Sequence, residues 1–194
     1  MKTIFKVTLF IGVIANALSC KAQVIQPLNT KLKDAAQNAY LKDLDNDLNK
    51  FIGIYTSTYQ DKSITLYITK EYEKLIQSHS KSYYQDVLSV RYIVKDLSGL
   101  TLQDTQNTVF QPNQIRFTIY SVKSVPQENF VILIYGGTNC GIGWGEIRLK
   151  KLNSTQLSWE YNPNSLVIDS ATCPPGTDKK VYLPVTKDLI FTKQ

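Results

Sequence analysis

The chain has 194 residues, 43% of them hydrophobic and 20% charged, with a formal net charge of +6. That is one domain with room for one sizeable core, too apolar for a disordered chain. Seven prolines and nine glycines exclude collagen-like or linker-dominated chains, and the one long apolar run lies at the extreme N-terminus, which leaves no membrane-spanning helix in the mature chain.

That run belongs to a leader. Lys2 and Lys6 give a basic head, and residues 7–18 are apolar except for Thr8, Gly12 and Asn16. This is the pattern of a bacterial export signal, too short for an anchor helix. Ala17-Leu18-Ser19-Cys20 resembles a lipobox, in which a small residue precedes a cysteine that is diacylated on sulfur. Ala17 stands where such motifs usually carry Leu. The lipobox assigns residues 1–19 to the signal peptide, 20–29 to a tether and 30–194 to a single domain. The alternative is ordinary cleavage after Ala22, which leaves Gln23 first. The motif favours the lipoprotein, with a membrane anchor at Cys20.

Either cleavage leaves Cys140 and Cys173 as the thiols of the mature chain. In an oxidising compartment such a pair predicts a disulfide. Its sequence separation is 33, and closing a loop of that length stabilises by about 3.7 kcal/mol in the chain-entropy account. Two cysteines and a distant His79 do not make a zinc ligand set, and no Cys-x-x-Cys motif is present. No metal or other cofactor is implied. The pI near 9.1 invites a nucleic-acid partner. Lipoprotein cleavage removes Lys2 and Lys6, however, and lowers the charge from +6 by two. The remaining lysines are scattered, as on a solvated surface, so no nucleic acid is expected.

Residues 30–51 are predicted to form one helix. Leu32, Ala35, Ala36, Ala39, Tyr40, Leu44 and Leu48 recur at helical spacing, Asn29 or Thr30 can cap it, and Gly53 lies beyond its end. Asp43, Asp45 and Asp47 mimic the start of a calcium loop, but Leu48 stands where the turn glycine belongs and Ile54 where the bidentate Glu belongs. From residue 51 the period changes to two. Strands are predicted at 51–59, 63–69, 84–95, 115–122, 130–135, 144–152, 155–161 and 188–193, with a brief extended piece at 166–168 and a polar loop or short helix at 103–113. Asn153-Ser154 marks a hairpin. No βαβ alternation occurs, so the sheet is antiparallel. An open sheet of this size must hide its edges. The fold expected is therefore mainly β: one antiparallel barrel of about eight strands with the first helix packed over one end. A two-sheet β-sandwich is the alternative.

The helix followed by Phe51-Ile52-Gly53-Ile54-Tyr55 resembles the start of lipocalin-type barrels, with Tyr55 in place of Trp. Leu152-Asn153-Ser154-Thr155-Gln156-Leu157-Ser158-Trp159, Leu183-Pro184 and Leu189-Ile190-Phe191-Thr192-Lys193 are similar to exported proteins of the Bacteroidota whose leaders end in Ser-Cys-Lys-Ala-Gln. The resemblance implies a lipocalin-like fold and an envelope location, and it brings no activity with it. Lys21-Ala22 lacks the acidic residues that such bacteria use for surface export, which implies the periplasmic side; soluble periplasmic or secreted protein is the alternative. The same lineage O-glycosylates triplets such as Asp169-Ser170-Ala171, so Ser170 is a candidate modification site.

Catalytic chemistry finds little support. His79, in Gln77-Ser78-His79-Ser80-Lys81, has the surroundings of a surface histidine, and the five glutamates fall where strand faces or turns are wet. The glycine cluster 136–145 follows an apolar strand, but an alternating strand follows it instead of a helix, so it is a hairpin loop pinned by Cys140 and not a phosphate cradle. The arginines carry more information. Arg91, Arg116 and Arg148 each sit inside a strand pattern, and a guanidinium suits carboxylates and phosphates. On a shared inner face they would form an electropositive site with Tyr92, Tyr120 and Trp144. On the outer face they would pair across strands with Glu146, Glu160 or tyrosines. The expected function is non-enzymatic binding of a small amphipathic or anionic ligand inside the barrel. The alternative is an interaction module with a filled barrel that contacts a protein or polysaccharide partner.

Overall fold

The computed structural model describes residues 23–77, 81–111, 113–164 and 173–194. The leader, the lipobox with Cys20, His79, the extended piece at 166–168 and Ser170 lie outside the described residues. Eleven strands are present among the described ones: β1 (Ile25–Pro27), β2 (Tyr40–Lys42), β3 (Gly53–Tyr59), β4 (Lys62–Gln77), β5 (Ser82–Asp96), β6 (Thr101–Asp104), β7 (Ile119–Val125), β8 (Phe130–Tyr135), β9 (Gly145–Lys151), β10 (Gln156–Pro163) and β11 (Thr186–Lys193).

Eight of them close an antiparallel ring in the order β5-β4-β3-β11-β10-β9-β8-β7 and back to β5. Each ring strand pairs with its neighbour in sequence, so the barrel is up-and-down, and the two-sheet alternative is excluded. Alternation dictates which side chains enter. On β5, Leu88, Val90, Tyr92 and Val94 are buried, and on β9 Ile147 and Leu149 are buried while the residues between them face out. Closure between β5 and β7 is narrow, with Ser89 opposite Tyr120. Side chains complete the seam: Ser121 Oγ accepts the Leu88 N–H at 2.8 Å, and Thr105 Oγ1 accepts the Tyr92 N–H at 2.8 Å. Above and below it, the same edge of β5 pairs with β6 and, in parallel, with β2.

The N-terminal helix expected at 30–51 does not form. The segment is a strap of turns containing β1, β2 and one 3-10 turn, Asn49–Phe51. Two features defeat the helix. Asn38 and Asn46 take left-handed backbone angles, φ 59° and 57°, which interrupt a right-handed helix. The Asp43 carboxylate also accepts the backbone N–H groups of Asp47 and Leu48, a local alternative to helical hydrogen bonding. The apolar stripe is not one face either, since Leu32 and Leu44 are exposed while Leu48 is fully buried. The strap still closes one end of the barrel. Leu28, Leu48 and Phe51 join the core, Asn29 Oδ1 accepts the Ser124 N–H, and Lys50 Nζ donates to Asn129 Oδ1.

At the other end the glycine-rich loop between β8 and β9 is bridged by the disulfide Cys140–Cys173, with a Cα–Cα distance of 5.5 Å. This bond indicates an oxidising, extracytoplasmic compartment. Tyr161 donates its hydroxyl to the Gly143 carbonyl, and Trp159 Nε1 donates to the Pro184 carbonyl at 2.9 Å, so inner residues hold these loops in place. No helix among the described residues is long and apolar enough to cross a membrane.

Candidate functional site

The barrel interior is occupied. Tyr92, Tyr135, Tyr161, Trp159 and Phe191 form a continuous run of rings with centroids 5.7–6.4 Å apart, the three contacts among Tyr92, Tyr135, Tyr161 and Trp159 being edge-on. All five are at most 1% exposed. Such packing leaves no face on which a water-sized guest could rest. Burial pushes the Tyr135 phenol up to about 12, with hydrogen bonds from Tyr92 and Thr138 opposing, and burial raises Tyr92 and Tyr161 further, helped by Tyr135.

The three arginines therefore do not meet inside. Arg91 alternates with buried Val90 and Tyr92, and Arg148 with Ile147 and Leu149, so both point outward. Arg116 lies exposed in the turn before β7, which starts at Ile119 and not at residue 115, because Phe117 takes a left-handed φ of 65° and Thr118 Oγ1 turns back to the Ile115 carbonyl. Tyr92 is a core residue. Trp144 is 48% exposed just ahead of β9. The shared inner site is corrected: Tyr92 is core, the other five stand outside the barrel, and of these Arg91 and Tyr120 alone come together.

They meet in a cleft of about 520 Å³ beside the β5–β7 seam. Its walls are Glu71 and residues 74–77 of β4, Ser89 and Arg91 of β5, Phe110, Gln111, residues 113–115 and Thr118 to Tyr120. β4 runs well past the strand expected at 63–69, and its far arm pairs with β5 as far as Gln77 opposite Ser82. A bulge between Glu71 and Lys74, where Glu73 takes φ 52°, swings that arm over the seam. Lys74 Nζ bridges both Glu71 oxygens at 3.0 and 3.2 Å and lies 5.7 Å over the Tyr120 ring. The Arg91 guanidinium stacks on Phe110 at 3.8 Å from the ring centroid. Burial lowers the Arg91 pKa, and Glu71 opposes that shift; burial also raises the Tyr120 phenol. Carboxamides complete the lining: Gln77, Gln111, Asn113 and Gln114. Gln114 is fixed, its Oε1 accepting the Gln111 N–H and its Nε2 donating to the Arg116 carbonyl.

Sequence reasoning missed Phe110, Lys74 and the four carboxamides. One signal was present, a lone aromatic residue within the polar run 103–113, but nothing in the sequence ties it to Arg91. The aspartates 43, 45 and 47 gather no ligand set. Asp43 is engaged by Lys70 and two backbone N–H groups, and no group of three or more metal-ligating side chains occurs among the described residues.

Residues 1–194, the whole chain, match the model of a family described as of unknown function, DUF6705. No curated protein and no solved structure matches the chain.

Proposed function

The chain belongs to the DUF6705 family, and on that footing we propose that it is a non-enzymatic interaction module of the cell envelope: a solid barrel whose outer cleft docks a polysaccharide. The observation that carries this reading is the filled interior. A lumen packed with Trp159, Tyr55, Tyr92, Tyr135 and Tyr161 serves as a scaffold, and recognition moves to the outside. The cleft lining fits sugars in kind. Carboxamides offer paired donors and acceptors to hydroxyls, and the Phe110 and Tyr120 rings offer apolar faces. Glu71, the one carboxylate among the described lining residues, is tied to Lys74, which supports binding over acid–base chemistry.

Export and anchoring belong to the same proposal. The basic head, apolar run and Ser19-Cys20 junction support lipid attachment at Cys20, and the disulfide supports an extracytoplasmic life. The charge of Lys21 supports the periplasmic side. A small amphipathic or anionic ligand remains the second reading, moved from the lumen to the cleft, whose volume is that of a small-molecule site.

The test is an isotope-labelled full-length chain titrated with a solubilised envelope polysaccharide fraction. Amide shifts concentrated at residues 71–77, 89–91 and 113–120 are expected. Shifts concentrated at Tyr92, Tyr135 and Trp159, or a small molecule of fixed mass retained through native mass spectrometry by the lumen, would overturn the proposal.

A further inference from the structure

Two arginines of this barrel lie flat on phenylalanine rings, and they differ in one respect. Arg148 sits 3.7 Å from the Phe130 centroid, and its Nη2 also reaches Glu128 at 3.3 Å. Arg91 sits 3.8 Å from the Phe110 centroid, yet none of its guanidinium N–H groups has a hydrogen-bond acceptor or a carboxylate at ion-pair distance among the described residues, Glu71 acting on it only from farther off. Arg148 is an exposed, satisfied surface arginine. Arg91 is half-buried in a concave site, its plane fixed by stacking and its donors unspent. A guanidinium in that state is a pre-organised fork for a planar oxyanion.

The rest of the cleft narrows the oxyanion. Its charged lining is Glu71, Lys74 and Arg91, and the first two neutralise each other at 3.0 Å. One net positive charge in a wall of carboxamides and aromatic rings matches a single negative charge on an otherwise neutral polar ligand. Dianionic phosphates would meet one cation where they call for several. The carboxylate is planar like the guanidinium, and the sugar ring that carries it fits the amide and aromatic lining.

We propose that the cleft seats a carboxylate-bearing saccharide, with the Arg91 fork, held flat on Phe110, taking the carboxylate. This rests on the outer cleft being the docking surface and adds the chemistry of what docks there.

The experiment is calorimetric titration of the full-length chain with a neutral oligosaccharide that carries one galacturonate residue, with its methyl ester, which keeps the sugars and removes the single charge, and with inorganic phosphate. The acid binds, and the ester binds about tenfold or more weakly. Arg91→Gln weakens the acid by the same factor and leaves the ester unchanged. Arg91→Lys keeps the charge but not the fork, and it weakens the acid as well. Arg148→Gln changes nothing, and unfolding midpoints confirm that the variants are folded. Equal binding of acid and ester, an Arg91→Lys variant as good as the original, or displacement of the sugar by equimolar phosphate would overturn the carboxylate seat. If the mono-uronate oligosaccharide fails while the envelope polysaccharide still shifts the cleft amides, this inference falls and the docking function stands. If both fail, both fall.

Discussion

Lys70 and Asp43 form an ion pair at 2.7 Å whose side chains are 5% and 1% exposed. The pair joins the N-terminal strap to β4. Asp86 extends it, accepting the Tyr40 hydroxyl at 2.5 Å and the Asp43 N–H at 3.0 Å. The strap is thus fastened by charge and hydrogen bonds where a helix would have been fastened by an apolar stripe. Removing one member leaves a buried charge without its counterion, which costs far more than an exposed pair would. Lys70→Met is expected to lower unfolding stability by about 3 kcal/mol, measured by urea denaturation. The double variant Lys70→Met, Asp43→Asn should recover part of that loss, because no bare charge remains. A loss below about 1 kcal/mol in the single variant would show that the pair is effectively solvated.

The disulfide pins the β8–β9 loop to the segment before β11, and its loop spans 33 residues. Replacing both cysteines with alanine, or reducing the bond, should cost about 3 kcal/mol. The denaturation midpoint with and without reductant checks this. Cleft binding should persist in the reduced protein under non-denaturing conditions, because the cleft lies at the β5–β7 seam and the cysteines do not line it.

The buried tyrosines predict an alkaline limit. Tyr135 is raised to about 12, and Tyr92 and Tyr161 are also raised, burial being the main cause in each. A phenol whose folded pKa exceeds its unfolded value contributes stability that is fully present below the unfolded value, near 10. That stability is lost as pH rises from there through the folded value. Absorbance titration should therefore show two phases. The phase at higher pH belongs to the interior tyrosines and comes together with loss of the near-ultraviolet dichroism of the ring run. A single phase near pH 10 with the dichroism intact would contradict the packing.

Much of the barrel was legible because half-buried strands write their period into the sequence. Leu88, Val90, Tyr92 and Val94 announce both β5 and its inward face, and the same alternation already turns Arg91 outward. The strap was not legible. Leu32, Ala35, Ala39, Leu44 and Leu48 satisfy helical spacing, and only tertiary contacts decide that Leu48 is buried and Leu44 is not. The far arm of β4 was missed for a related reason. At 71–77 the alternation is weak, since the ribbon extends past the core and both faces touch water. The cleft was the least legible feature. Arg91 and Phe110 meet because β6 carries the chain back along β5, a path that depends on the Thr105 contact with Tyr92. Nothing local in the residues from 103 to 113 encodes that route.

Gly136 links the loop end of the barrel to the cleft, and it supplies the last prediction. A Cβ there would overlap the Ile115 carbonyl group, which is backbone and cannot rotate away. The close approach is held by two hydrogen bonds, Gly136 N–H to the Thr118 carbonyl at 3.0 Å and Phe117 N–H to the Gly137 carbonyl at 2.7 Å. Ile115 and Thr118 both line the cleft. Gly136→Ala must therefore push the 115–118 turn outward, at a cost of about 2 kcal/mol from overpacking. Gly99→Ala is the control. It has a comparable penalty of about 1 kcal/mol from its left-handed φ, but open space for the new methyl and no place in the cleft. Both variants should unfold earlier in urea, and Gly136→Ala alone should weaken docking at the cleft. Equal docking by the two variants would mean that the position of the 115–118 turn does not matter to recognition, and the wall formed by Ile115 and Thr118 would lose its assigned role.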